Sequence, residues 1–198
     1  MSVDNANLAA LVGSRICHDL ISPVGAINNG LELLGMAGTM EGPELDLISD
    51  SVSNANARIR FFRIAFGSAG DQQMGRAEVV SILADISKAG RVSYQWSPSE
   101  GGTRSEVRMA FLAALCLEAA LPFGGTISVL CADGRWSVIG EGSKLSVNDE
   151  LWARVSGGTS SAEVTPALVQ FALLPEAAKQ AGRTVRVEQT LERITLQF

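Results

Sequence analysis

Apolar residues recur at Val12, Ile16, Leu20, Val24, Ile27, Leu31 and Leu34, a step of three or four that gathers them on one side of a helix. A second series follows at Leu45, Ile48, Val52, Ala55, Ile59, Phe62 and Phe66, spaced 3-4-3-4-3-4, which is a heptad seam. The Gly-rich break "GMAGTMEGP" separates them, so residues 5 to 68 read as two long helices. Asp4 or Asn5 is placed to cap the first, and Pro43 takes a favoured first helical position of the second, with Glu44 in the dipole-compatible first turn. Two helices of about 26 to 30 residues, each roughly 40 Å long, form a hairpin too thin to enclose a core. A second copy would complete one, so the preferred expectation is a dimeric four-helix bundle, with packing against the rest of the same chain as the alternative.

From about residue 69 the periodicity changes. After "GSAGDQQMGR", the stretches at 92 to 96, 126 to 132, 136 to 140, 184 to 189 and 193 to 198 read as strands, joined in part by the tight connections "ADGR" and "TLE". Residues 104 to 121 and 162 to 181 read as helices. Few helices beside an antiparallel-looking sheet predict an α+β domain, giving two units at 1–70 and 71–198.

Composition narrows the chemistry. The hydrophobic content of 46% is ordinary for a chain with a real core. A net charge of −5 argues against a sequence-wide grip on nucleic acid or an anionic membrane. Three cysteines, Cys17, Cys116 and Cys131, lack C-x-x-C spacing and suggest neither a disulfide framework nor a zinc knuckle. The acid-bearing start "MSVDNANL" and the lack of a membrane-length apolar run lead to the expectation of an untargeted, cytoplasmic protein.

The chain holds a single histidine, His18, in the stretch "SRICHDLISPVGAINNG". At 100° per residue it falls about 180° from the centre of the first helix's apolar stripe. It shares that outer face with Arg15, Ser22, Gly25 and Asn29, polar or small residues that leave room for another protein. Pro23, one turn on, removes the hydrogen bond to the carbonyl of Asp19 and biases Ser22 away from helical angles. Such broken local rules collect at functional sites, although a plain helix kink is the other reading. A metal site has little support, because Cys17 and His18 point about 100° apart and no second histidine exists. Ser-His-Asp hydrolysis lacks its G-x-S-x-G elbow.

The residues "HDLISPVGAI" resemble the H-box of sensor histidine kinases, in which a histidine, an adjacent acid and a following proline mark the phosphorylated residue on the first helix of a dimeric hairpin. The C-terminal half resembles a kinase ATP-binding domain, with "LCLEAALPFGGTISV" similar to its asparagine-bearing helix and Gly-Gly hairpin. Its ligands are missing. Cys116 stands where the magnesium-binding asparagine is expected, and the D-x-G-x-G box reads Gly140-Glu141-Gly142-Ser143-Lys144. A phosphoacceptor hairpin joined to an ATP domain without ligands resembles the ChpT-type histidine phosphotransferases of bacterial phosphorelays.

The resemblance implies a dimeric four-helix bundle followed by a degenerate ATPase-like α/β-sandwich domain. It implies a homodimer whose His18 takes a phosphoryl group from the receiver domain of a hybrid kinase and passes it to response regulators. No metal, ATP or other cofactor is expected on this chain, and Mg²⁺ belongs to the partner receiver. A histidine nitrogen attacks phosphorus only when it carries a lone pair. Asp19 could accept from Nδ1–H and leave Nε2 free, although it also pairs plausibly with Arg15 at i, i+4. Arg15 is the nearest candidate to balance the phosphoryl charge. Arg58, Arg60 and Arg63 could draw in an acidic receiver or simply form a solvated face. Ser22 could position a water for dephosphorylation or bond back to the helix. An ATP-dependent kinase with divergent boxes and a non-catalytic dimeric adaptor are the competing readings.

Overall fold

The computed structural model describes residues 5–37 and 43–198. Helix α1 (Asn5–Ala37) and helix α2 (Pro43–Ala65) form the antiparallel hairpin. The break between them and the cap candidate Asp4 lie outside the described residues, and Pro43 opens α2 as its sequence position predicts. Helix α1 runs through Pro23 without interruption. The proline is buried, so tertiary packing outweighs the local preference for a break.

The C-terminal unit carries more helix than the sequence pattern suggests. After strand β1 (Gln73–Met74) comes α3 (Arg76–Ala89), then β2 (Val92–Trp96), β3 (Gly102–Thr103), α4 (Arg104–Ala120), β4 (Gly125–Ala132), β5 (Arg135–Glu141), α5 (Asp149–Val155), a 3-10 turn (Pro166–Leu168), α6 (Gln170–Gln180), β6 (Arg186–Gln189) and β7 (Arg193–Gln197). The helix expected over 162 to 181 is shorter and preceded by α5, because the segment up to Thr165 remains open loop before Pro166 starts the 3-10 turn. Helix α3 escaped the sequence reading although Val79, Ile82, Leu83 and Ile86 carry a helical step.

The five-stranded sheet has the order β2-β4-β5-β7-β6. It is mixed rather than antiparallel throughout, since β2 pairs parallel with β4. The cause is the connection: α4 lies between these strands in the chain, and such a crossover returns the chain in the same direction. Helix α4 is apolar almost all round, with Met109 to Leu117 buried, and forms the centre of the core. Thr103 and Glu106 close a capping box at its start, the Thr103 side chain accepting from the Glu106 amide while the Glu106 carboxylate accepts from the Thr103 amide.

The change of periodicity near residue 70 does not divide the core. Phe61, Phe62 and Ile64 of α2 belong to the same cluster of buried residues as Ile82, Phe111 and Leu112. Phe61 stacks on Phe111 with ring centroids 4.5 Å apart and planes within 9°. The hairpin is therefore rooted in the C-terminal unit. Its seam is covered only in part: Phe62 is buried, whereas Leu45, Val52 and Ile59 are 44%, 41% and 49% exposed, and Val24 and Leu31 of α1 are 48% and 55% exposed.

Gly140 and Gly142 owe their identity to packing. A Cβ on Gly140 would lie 3.1 Å from Leu117 Cδ2, and one on Gly142 would lie 2.6 Å from Leu121 Cδ2. Strand β5 thus approaches α4 as closely as glycine permits. Gly142→Ala is expected to cost about 1 to 3 kcal/mol by overpacking, read as a lower denaturation midpoint with an unchanged denaturant slope.

Candidate functional site

His18 stands on the outside of α1, its side chain 81% exposed. Its neighbour Asp19 is turned 100° around the helix into the junction with the C-terminal unit, with a side chain only 9% exposed. Asp19 Oδ1 lies 3.1 Å from His18 Nδ1. On the other side Asp19 Oδ2 takes a hydrogen bond from Arg15 Nε at 2.8 Å and meets Arg58 Nη1 at 3.6 Å. The two possibilities left open for Asp19, pairing with His18 and pairing with Arg15, are realised together by its two oxygens. A carboxylate has enough acceptor sites for both.

The arginines are themselves held. Arg58 Nε donates to Asn54 Oδ1 at 2.9 Å, one turn back on α2. Arg15 Nη1 donates to the backbone carbonyl of Ala167 in the 3-10 turn of the C-terminal unit. Arg15 Nε and Nη1 are thus committed to Asp19 and to Ala167, and the Arg15 side chain is 17% exposed. Arg60 pairs with Asp85 at 2.7 Å and bonds Ser81, tying α2 to α3, while Arg63 is exposed.

Along the open face of α1, Ser22 and Asn29 are exposed and Gly25 is half-buried. Among the described residues, a Cβ on Gly25 would meet nothing within 4 Å. Behind Asp19 lies a narrow cleft lined by Arg15, Arg58, Phe61, Tyr94, Leu115 and Glu118. Tyr94 donates from its hydroxyl to Glu118 Oε2 at 3.1 Å. Burial, reinforced by the Glu118 charge, pushes the Tyr94 phenol well above its usual range. Sequence reasoning missed Tyr94, Glu118 and Ala167, which come from other elements and carry no motif.

The residues of the degenerate boxes lie elsewhere. Cys116 is fully buried in α4, and burial pushes its thiol well up. Glu141 alternates with Gly140 to the sheet face away from α4, where it is tied to Arg193 at 2.6 Å. Among the described residues no group of three or more metal-ligand side chains comes together, and no helix is long and apolar enough to cross a membrane.

Residues 76–193 match the family model of the histidine phosphotransferase C-terminal domain. The chain belongs to the histidine phosphotransferase family. Protein phosphotransferase ChpT of Brucella abortus (strain 2308) is 33% identical over 198 residues, covering 95% of this chain and 93% of that protein. A solved structure of a bacterial phosphotransferase is 30% identical, covers 100% of this chain and 98% of the other, and superposes with a TM-score of 0.79. The similarity runs through both hairpin and C-terminal unit, so the histidine phosphotransferase frame extends beyond the segment that the family model covers.

Proposed function

We propose that the protein is a histidine phosphotransferase of a phosphorelay in which His18 is the phosphoacceptor, loaded by the aspartyl phosphate of a receiver domain and unloaded onto a response regulator. The observation that carries this reading is the placement of the chain's sole imidazole: 81% exposed, with Nδ1 held at Asp19. Nε2 is then the nitrogen presented to a partner. Its lone pair attacks phosphorus, the bond from phosphorus to the aspartyl oxygen breaks, and the electron pair leaves with the receiver's carboxylate. The Nδ1 proton stays hydrogen-bonded to Asp19, which balances the charge forming on the ring. Mg²⁺ held by the receiver would neutralise the phosphoryl oxygens.

Ser22, Gly25 and Asn29 form the strip on which the receiver sits. Gly25→Leu tests this, since the added side chain starts into open space and leucine is a better helix former than glycine by about 0.5 to 1 kcal/mol. Stability is expected to hold or rise while transfer from a phosphorylated receiver falls at least about tenfold. Labelling by the small donor phosphoramidate should be unchanged. Equal loss with both donors would place Gly25 in the chemistry instead of the docking strip.

A homodimer completes the hairpin. The uncovered line of Leu45, Val52 and Ile59 repeats every seven residues, as expected of a seam awaiting a second copy. Ile59→Asp is expected to convert a dimer to a monomer in sedimentation equilibrium. A monomeric parent protein would overturn this assignment.

ATP plays no part in this reading. The shallow cavity beside α4, about 380 Å³ and lined by residues including Ser146, Val147, Leu151, Trp152 and Phe171, has no charged side chain in its lining. Glu141 faces the opposite side of the sheet from α4. Titration with Mg-ATP is expected to give no saturable heat up to millimolar nucleotide, and self-labelling from ATP would restore the kinase alternative.

A further inference from the structure

The clamp on Asp19 is assembled from both halves of the chain. Arg15 and Asp19 come from α1, Arg58 from α2, and the Ala167 carbonyl from the C-terminal unit. The same carbonyl accepts a second hydrogen bond, from Gln170 Nε2 at 3.0 Å. Gln170 is 1% exposed, and its Nε2 also lies 3.5 Å from the Leu115 carbonyl of α4. Two carbonyls facing one amide fix its orientation, because only the nitrogen end donates. Gln170 Oε1 is left buried without a partner among the described residues. An unpaired buried amide oxygen costs stability, so the position of this side chain is bought by what its nitrogen holds.

Resting on the reading of His18 as phosphoacceptor, we infer that Arg15 and Arg58 are positioning residues that fix the Asp19 carboxylate, and that the C-terminal unit, through Gln170 and the Ala167 carbonyl, holds Arg15 in that clamp. Asp19 has two oxygens and the clamp occupies one of them. With Oδ2 hydrogen-bonded to Arg15 and ion-paired with Arg58 at 3.6 Å, Oδ1 is turned to His18 Nδ1 and holds the proton there. A free imidazole favours the tautomer protonated at Nε2, which has no lone pair at the presented nitrogen. The clamp reverses that preference. A unit without nucleotide ligands thereby acts on the phosphoacceptor through one backbone carbonyl.

The single histidine makes the inference directly measurable. In tag-free, full-length protein labelled with ¹⁵N-histidine, long-range ¹H–¹⁵N spectra report the His18 tautomer alone. The parent protein is expected to be mainly Nδ1–H. Arg15→Gln, Arg58→Gln and Gln170→Leu should each shift the ratio toward Nε2–H and slow phosphoramidate labelling by about tenfold, the scale seen when a group orienting an imidazole through its second nitrogen is removed. Arg58→Lys keeps the charge and should retain most of the Nδ1–H form. Thermal melts identify any variant that fails to fold, and Arg15→Lys then stands in for Arg15→Gln, with a smaller shift in the same direction expected. An unchanged tautomer ratio in folded variants overturns the clamp. Failure of every phosphorylated receiver to label the parent overturns the phosphorelay reading instead, leaving the tautomer result to stand separately.

Discussion

His18→Ala is expected to abolish transfer from a phosphorylated receiver, reducing labelling to background. The loss is total because His18 is the chain's only histidine, and no other imidazole can take over the bond to phosphorus. The fold should not suffer. The side chain is 81% exposed, and a substitution at such a position usually changes stability by no more than about 0.5 kcal/mol. Alanine is also the better helix former. The variant therefore separates chemistry from structure: circular dichroism and the melting curve stay in place while the acid-labile, base-stable label disappears. Label that persists in His18→Ala would move the phosphoacceptor elsewhere. Receiver binding, measured separately, should survive, because the strip of Ser22, Gly25 and Asn29 is untouched. A dimeric adaptor with an incidental histidine would show binding without any label in the parent protein.

Phe61→Ala carries the largest expected structural effect. Phe61 is 1% exposed, stacks on Phe111 at 4.5 Å and lies 6.3 Å from the Tyr94 ring. Removing it leaves a cavity where α2, α4 and β2 meet, at a cost of about 3 to 5 kcal/mol. That is a large share of the roughly 5 to 15 kcal/mol by which domains are stable. For a chain of this size it corresponds to a fall in melting temperature of roughly 10 °C. The result also decides whether the chain is one cooperative unit. Since Phe61 and Phe111 lie in one core cluster, fluorescence of the C-terminal tryptophans and helical circular dichroism should report a single coincident transition in both parent and variant. Two separate transitions would show that the hairpin unfolds independently of the unit that anchors it. The site should feel the cavity too, because Phe61 lines the cleft behind Asp19.

The heptad step of Leu45 to Phe66 and the break before Pro43 determine the hairpin from sequence alone, because an amphipathic period of three to four residues has few other solutions. The strands from 92 onward and helix α4 are legible for the same reason, each having a period or a run of its own. The placement of His18 on the outer face also follows from 100° per residue. The H-box letters "HDLISP" by themselves carry the resemblance to a phosphoacceptor helix.

What the tertiary structure decided is which partners those faces meet. The heptad seam of α2 predicts a buried line, yet Phe62 of that line is buried while Leu45, Val52 and Ile59 are uncovered, and Ala57, Phe61 and Ile64 on another side of the helix are buried. A periodicity names an apolar face, whereas burial depends on what packs against it, and α3 and α4 claim the other side. The parallel pairing of β2 with β4 depends on a crossover whose return path no local pattern records. The role of Arg15 turns on Ala167, 152 residues away along the chain. A hydrogen bond to a backbone carbonyl leaves no mark on side-chain identity, so the sequence determined that His18 stands outside with Asp19 beside it. Only the fold shows that the carboxylate is held from both halves of the chain.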